Sequence, residues 1–382
     1  MTTNYYEIKN KVLLSLENKL EKSVIENEYI PKITLDRYTF MQKISLINRL
    51  IELDFFDQSK KFLDSIDIED TELNYEQRLF IGLSYMKLGN EKGFKLYHNR
   101  VFCQGCKSCN GQYKEINNLL DVNKYWKGEN IRNKTIYIIA EQGHGDFIMW
   151  IRYLLYLRNA NIYLYVHGYA KKIIPLCHII LSNIASNNSL NIVDSIQNDY
   201  DYWIYMGDLT NIFNIRLNFS PKMFPYILPL NDRLEYWKKK LNSINRKIIC
   251  INLCGADTTK DPRRIELSEI ESLFSISDYK FININRDVVI DHPNVDYFEN
   301  IDRDISYADT LAIMFLSYKT ISSDTSIIHF AGAMNIDSIL VLPLYAEWRW
   351  QTDNYKTIWY PSVKIIRKNK VDNLVETIKE IL

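Results

Sequence analysis

The chain has 382 residues, which is too long for one ordinary hydrophobic core and predicts two or three domains. Its 47 basic residues balance its 47 acidic residues, which argues against a field that would draw the whole molecule to nucleic acid or to an anionic membrane. The polar N-terminus lacks the features of a secretory signal and the longest apolar run, Lys172–Ala185, is too short and interrupted to span a bilayer, so we expect a cytoplasmic protein without a membrane span.

The first third of the chain has the apolar spacing of helices. From Tyr5 to about Asn99 apolar residues recur every three or four positions. The stretch Tyr75–Val101 resembles a tetratricopeptide helix pair, a unit that buries its faces only against neighbouring repeats. The residues at matching offsets are Gly82, Tyr85, Leu88, Gly89 and Phe94. Residues 1–125 are therefore predicted to form an all-helical, tetratricopeptide-like domain, with an unrelated helical bundle as the alternative.

A cysteine cluster closes this helical region. Cys103, Cys106 and Cys109 follow one another at spacings of three, with glycine and asparagine between them. Thiolates so spaced can hold zinc or an iron-sulfur cluster if a fourth ligand comes from elsewhere in the chain. A structural metal, free thiols and a disulfide are the three interpretations that remain open.

After Trp126 short apolar runs alternate with helical patterns, which is typical of repeated βαβ units and a parallel sheet. Three prolines in Asn218–Leu230 indicate a crossing between two such halves. We predict an α/β fold with two Rossmann-like domains, residues 126–230 and 231–382, whose ligands lie beyond the carboxyl ends of the strands. The predicted strands are Thr135–Ala140, Ile162–Val166, Tyr202–Tyr205, Lys247–Leu253, Lys280–Asn285, Lys319–Ser322 and Ser338–Leu342.

A glycine loop follows the first of these strands. Gly143 and Gly145 permit close backbone approach, and Asp146 stands where a helix begins. Asp146 could cap that helix, or it could serve as a general base facing the cleft.

A basic loop follows the first strand of the second half and carries Lys260, Arg263 and Arg264. Basic residues in such a loop are often exposed to solvent and bind no ligand. In a water-poor cleft they would instead stabilise the negative charge of a departing diphosphate.

The strand that ends at Ser322 runs into Asp324, Thr325 and Ser326, which are good residues for the start of a helix. Backbone N–H groups converge at a helix start and make an anion site. His329 lies one helical turn after Thr325 and could address the same ligand, or it could be a core histidine.

Aromatic and basic residues follow the next predicted strand. Trp348 could offer a flat surface to a base or a sugar, with Arg349 beside it, although tryptophans in such positions also belong to cores. The C-terminal stretch Val371–Leu382 has one apolar side and is predicted to be a helix packed on a domain.

Two segments carry a family resemblance. Glu141–Leu154 resembles the opening motif of the heptosyltransferase-like inverting glycosyltransferases (family 9, GT-B fold), especially of members fused behind tetratricopeptide repeats, and Tyr318–Trp350 resembles their donor-binding motif. The resemblance implies that Asp146 is the catalytic base and that the chemistry needs no cofactor. It also implies that Lys260 contacts donor phosphate. His144 departs from the pattern, because relatives usually have an apolar residue at that position.

The resulting prediction is an inverting transferase that moves a sugar from a nucleotide diphosphate sugar to an acceptor hydroxyl. The repeat-like domain would present the acceptor, for which a protein or peptide is a candidate. An adaptor with an inactive nucleotide- or glycan-binding transferase domain is the alternative, and a nucleotide-sugar epimerase is a third. The sequence does not fix the sugar, the base or the oligomeric state.

Overall fold

The structure is a computed structural model that describes residues 22–33, 35–103, 112–197, 199–213, 223–255, 261–285, 288–343 and 346–382. These residues fall into two compact units. The first contains the described residues up to Asn118 together with Ala346–Thr352, and the second contains the rest.

The first unit is helical. Two of its helices begin at capping boxes, in which Thr39 pairs with Gln42 and Asn74 pairs with Gln77. Its α-helices are α1 (Phe40–Glu52), α2 (Phe56–Asp64), α3 (Tyr75–Lys87), α4 (Lys92–Tyr97) and α5 (Gln112–Asn117), and its shorter helical turns are Lys22–Val24, Ile25–Tyr29, Ile30–Lys32, Leu35–Arg37, His98–Phe102 and Trp348–Trp350.

Helices α3 and α4 pack closely because glycines face each other at their contact. A Cβ atom on Gly82 would lie 2.8 Å from the Leu96 Cβ, and one on Gly93 would lie 2.4 Å from the Met86 Cγ. Gly89 ends α3 with a φ of +69°, which favours glycine. The helical prediction is confirmed for the described residues, and the tetratricopeptide architecture stays a prediction.

The second unit is α/β with parallel sheets, as predicted. Its first sheet has the strand order β3-β2-β1-β4 and its second has the order β10-β9-β8-β5-β6-β7, and neighbouring strands in both orders are parallel. The strands are β1 (Thr135–Ile139), β2 (Asn161–Tyr165), β3 (Ser189–Val193), β4 (Tyr202–Tyr205), β5 (Lys247–Asn252), β6 (Tyr279–Asn283), β7 (Val295–Tyr297), β8 (Lys319–Ser322), β9 (Ser338–Leu342) and β10 (Val363–Arg367).

Helices and 3₁₀ turns lie between most of these strands. The α-helices are α6 (His144–Trp150), α7 (Gly168–Ile173), α8 (His178–Ala185), α9 (Leu209–Ile212), α10 (Asn231–Leu241), α11 (Leu267–Ile270), α12 (Ala308–Phe315), α13 (Ser326–Ala333) and α14 (Leu374–Ile381), and the 3₁₀ turns are Val122–Lys124, Ile151–Tyr156, Ile174–Cys177, Met206–Asp208, Glu271–Ser275 and Lys368–Lys370. The predicted C-terminal helix is confirmed, and Ile378 joins the core of the second sheet. The predicted domain boundaries at 125/126 and 230/231 stay predictions.

The two sheets of this unit are joined by a buried guanidinium. Arg152 is fully buried and donates to the carbonyl oxygens of Met149 (2.8 Å) and Trp359 (2.7 Å). Its guanidinium carbon lies 5.0 to 5.8 Å from the ring centres of four aromatic residues, which is a cation–π geometry. These residues are Phe224, Tyr226, Trp359 and Tyr360. The first sheet's helix α6 is thereby tied to the chain that follows the second sheet's strand β9.

Candidate active site

The glycine loop lies where β1 ends, and Asp146 caps the helix that follows it. The backbone N–H of Gly143 donates to Asp146 Oδ2 at 3.2 Å, and the Asp146 side chain is largely buried. A carboxylate offers about four acceptor positions, so this cap is compatible with a role as general base. Glu141, which the sequence did not single out, is buried and accepts from the backbone N–H of Gly207 at 2.8 Å. The loop is thus held by the turn that follows β4 as well as by its own hydrogen bond.

A side chain at position 145 would overlap His329, which packs directly against Gly145. A Cβ on Gly145 would lie 2.6 Å from His329 Cδ2. The His329 ring is buried, and its Nδ1 lies 2.8 Å from the Tyr360 hydroxyl. A Cβ on Gly332 would in turn lie 2.2 Å from Tyr360 Cγ. The structure therefore places His329 in the packing between α6 and α13, which fits the core interpretation, while a role toward the donor stays a prediction.

Replacing Gly145 with alanine is expected to lower the melting temperature of the protein. Alanine has the better helix propensity by about 1 kcal/mol, but its methyl group would overlap the His329 ring, and overpacking costs about 1 to 3 kcal/mol. Gly143→Ala is the matched control in the same loop, because its Cβ meets Asp146 at an ordinary 3.6 Å and its φ is −92°. Thermal unfolding of both variants tests this, and an unchanged or higher melting temperature for Gly145→Ala would contradict the packing described.

Asparagines organise the carboxyl ends of β5 and β6. The Asn252 side-chain amide donates to Thr325 Oγ1 at 2.9 Å and to Ser322 Oγ at 3.1 Å. Asn285 donates to Asn252 Oδ1 at 3.1 Å and to the Cys254 carbonyl oxygen at 2.8 Å. Thr325 is the N-cap of α13, where its hydroxyl accepts from the backbone N–H of Ile327 at 3.3 Å. The network holds the start of α13 in place at the edge of the sheet.

A cavity of about 280 Å³ opens at this edge. Both sheets contribute to its lining. His144 and Lys172 come from the first sheet's side, and Asn252, Tyr307, Thr325 and Ser326 come from the second. The predicted pair Thr325 and Ser326 thus lies in a cleft that the glycine loop also reaches, and Asp324 is buried directly before it.

The two predicted arginines of the basic loop contact different residues. Arg263 forms a two-contact ion pair with Asp261 (2.6 and 2.9 Å) and holds the pKa of that carboxyl below its usual value through these hydrogen bonds. The Arg264 Nη1 lies 3.8 Å from Cys254 Sγ, and Cys254 lines the cavity. Lys260 lies outside the described residues. Among the described members of the loop, Arg264 therefore contacts a residue of the cavity lining, and its Nε also lies 3.4 Å from Glu266 Oε2.

Trp348 and Arg349 belong to the helical unit. The Trp348 ring lies 5.3 Å from the Tyr97 ring, and the Arg349 guanidinium lies 4.9 Å above Trp348 and 3.5 Å from Glu347. Their predicted place beside the donor stays a prediction.

In the cysteine cluster, Cys103 is half-buried and its Sγ contacts the Asn99 carbonyl oxygen at 3.4 Å. Cys106 and Cys109 lie outside the described residues. Within the described part of the chain, three or more histidine, cysteine or acidic side chains are nowhere grouped to hold a metal ion. The same residues include no helix of the length and apolarity that crossing a membrane requires.

Comparison with known proteins gives structural likeness only. No family model and no curated protein sequence matches the chain. The chain resembles ADP-heptose lipopolysaccharide heptosyltransferase II of E. coli at 9% identity and a TM-score of 0.43, covering 64% of this chain and 96% of that one. It resembles a family 9 glycosyl transferase of Veillonella parvula at 10% identity and a TM-score of 0.39, covering 67% and 92%. It also resembles the iron-containing dodecameric glycosyltransferase TibC of enterotoxigenic E. coli at 13% identity and a TM-score of 0.40, covering 62% of this chain and 63% of that one.

These structural neighbours are glycosyltransferases, and at such identities and TM-scores they assign no activity to this chain. Residues that the sequence did not single out, Asn252, Asn285, Tyr307 and Lys172, line the cavity with the predicted ones. Asn252 could have been singled out, because a polar residue at the end of a buried strand lies at the edge where ligands bind. The sequence gives no indication of Tyr307, because its position depends on a left-handed φ of +65°.

Proposed function

We propose that this protein is an inverting, metal-independent glycosyltransferase that moves a sugar from a nucleotide diphosphate sugar to an acceptor hydroxyl. The observation that carries the proposal is the cavity lined both by His144, which lies two residues before Asp146 in the glycine loop, and by the Thr325–Ser326 helix start. A base on one side and an anion site on the other are what a direct displacement requires. The sequence resemblance to family 9 supports the same chemistry, and a heptose is one candidate for the sugar.

In the proposed reaction Asp146 accepts the proton of the acceptor hydroxyl while its oxygen attacks the anomeric carbon. The bond from that carbon to the diphosphate oxygen breaks, and the electron pair leaves with the nucleoside diphosphate. A single displacement inverts the anomeric centre. The backbone N–H groups at the start of α13, together with Arg264 and Lys260, stabilise the charge that develops on the leaving group.

The first test is incubation of the purified protein with ADP-, GDP- and UDP-sugars and with hydroxyl acceptors, including peptides and cell-extract fractions. Release of nucleoside diphosphate that depends on the acceptor, with a product of inverted anomeric configuration by NMR, is the expected result. Activity should persist in EDTA, since the cations that meet the diphosphate belong to the chain. Nucleotide binding without any transfer would favour the adaptor, and a free sugar product without acceptor would favour the epimerase.

The two arginines of the basic loop should differ in their effect on the donor. Arg264→Met is expected to weaken binding of the matching nucleoside diphosphate by tenfold or more, since one charge-assisted hydrogen bond is worth about 1.5 to 3 kcal/mol. Arg263→Met should change it less than about threefold, because Asp261 already neutralises Arg263 and exposed pairs contribute about 1 kcal/mol or less. Isothermal titration of both variants decides this, and the reverse order would assign the phosphate contact to Arg263.

A further inference from the structure

One tyrosine bridges the cavity between the two sheets. The Tyr307 hydroxyl accepts from Ser326 Oγ at 3.0 Å and lies 3.3 Å from His144 Nδ1. The rings of His144 and Tyr307 meet edge to face with their centres 5.3 Å apart. The imidazole of His144 is therefore two hydrogen-bond lengths from the first residue of α13, which is within reach of a phosphate group held there.

Tyr307 is fixed in this position by its backbone. Its φ of +65° is unusual for a residue with a side chain. The segment around it is held by Asp302, whose carboxylate accepts from the backbone N–H groups of Asp309 (2.7 Å) and Thr310 (3.0 Å) and from the Thr310 hydroxyl (2.6 Å). The Asp309 carboxylate in turn accepts from the Asp302 backbone N–H at 2.8 Å. The bridge is thus built on a rigid turn.

His144 stands at the first position of α6, two residues before Asp146. Its side chain lines the cavity, where a diphosphate bound at the proposed site would bring negative charge. An imidazole with an ordinary pKa near 6.5 becomes cationic under mildly acidic conditions and then attracts an anion. Lys172 adds a second cation from the same side of the cavity.

We propose that His144, in its imidazolium form, binds the diphosphate of the donor from the side of the first sheet. This inference rests on the proposed function. A diphosphate at Ser326 takes the place of the Tyr307 hydroxyl as the partner of His144, so the anion contacts both the start of α13 and the His144 imidazole. His144 is a binding residue for the donor.

The contact makes donor affinity depend on pH. A bound diphosphate favours the imidazolium form, so the added affinity is present under mildly acidic conditions and is lost as the pH rises. The charged and titratable groups that line the cavity with His144 are Lys172, Cys254, Asp302 and Tyr307, while Asp146 lies on the same helix and His329 packs against Gly145. The comparison of variants below isolates the contribution of His144 from theirs.

The test measures binding of pyrophosphate, ADP, GDP and UDP to the full chain by isothermal titration at pH 5.5 and 8.5. The quantity of interest is the ratio of the wild-type affinity to the His144→Gln affinity at each pH. The protonation of the ligand itself affects both affinities equally and cancels in this ratio. We expect a ratio of about ten at pH 5.5, equivalent to one charge-assisted hydrogen bond, and about one at pH 8.5. His178→Gln is the matched control, because His178 is also the first residue of a helix and is exposed, and it should give a ratio near one at both pH values.

A ratio for His144→Gln near one at both pH values would overturn the inference and leave the proposed function standing. A ratio that is raised equally at both would also overturn it, because it would mean that His144 only supports the packing of the loop. If no nucleotide or pyrophosphate binds and no nucleotide sugar reacts, the proposed function fails and this inference fails with it.

Discussion

Asp146→Asn is expected to lower the turnover of sugar transfer by a factor of about 10² to 10⁴, because a positioned general base contributes on this order. Binding of the nucleoside diphosphate should change little. The asparagine keeps a side-chain oxygen that can accept from the Gly143 N–H, so the helix start and the loop stay in place. The measurement is a steady-state assay of nucleoside diphosphate release, with isothermal titration of the product nucleotide in parallel.

Glu376→Gln is the matched control for this substitution. Glu376 occupies the third position of α14, as Asp146 occupies the third position of α6, and it is exposed on the C-terminal helix. The same loss of a first-turn carboxylate should leave turnover unchanged there. If Asp146→Asn retained wild-type turnover, another group would have to accept the proton. If it lost nucleotide binding and stability together, its capping role would account for the effect.

Arg152→Met is expected to lower the free energy of unfolding by about 2 to 4 kcal/mol. The substitution removes two hydrogen bonds from a charged donor to the Met149 and Trp359 carbonyl oxygens and leaves both acceptors buried. It also removes the cation–π contacts to the surrounding rings. Relief of the buried charge offsets part of this loss, since methionine fills the space without a desolvation cost. Urea denaturation followed by tryptophan fluorescence measures the change.

Arg158→Met provides the comparison, since Arg158 is exposed and lies in the same segment of chain. Its donors reach the carbonyl oxygens of Leu155 and Leu157, and water can replace those contacts, so a change below about 0.5 kcal/mol is expected. Equal effects of the two substitutions would show that the aromatic surroundings of Arg152 add nothing to the stability of the α/β unit.

The strands that the sequence predicted are the ones flanked by other strands, together with β4. Strand β9, with the sequence SILVL, is buried along its whole length, and β5 is buried from its second residue onward. A strand buried on both faces is a continuous apolar run, which can be read locally. The strands that were missed, β3, β7 and β10, all lie at the edge of a sheet. An edge strand has one neighbour and tolerates polar residues, as SLNIV in β3 shows, so the apolar pattern is weaker.

In the candidate site, too, local interactions could be predicted from the sequence and tertiary contacts could not. The order of residues was enough to place Asp146 and Thr325 at the starts of helices after strands, because capping is a local interaction between neighbours in the chain. In the structure Asp146 accepts from the backbone N–H of Gly143 at the third position of α6, and Thr325 is the N-cap of α13. The difference between Arg263 and Arg264 was not readable, because it depends on which side chain turns toward Asp261 and which toward Cys254.

The sequence by itself determined the α/β class, the seven strands β1, β2, β4, β5, β6, β8 and β9, and the residue types at their carboxyl ends, since each follows from the pattern of neighbouring residues. Only the tertiary structure decided which of those residues meet. His144 and Tyr307 are 163 positions apart, and Gly145 accommodates the ring of His329 from the other sheet. Such contacts arise from the way that two helices pack, and the apolar period of each helix carries no information about the partner that fills its grooves.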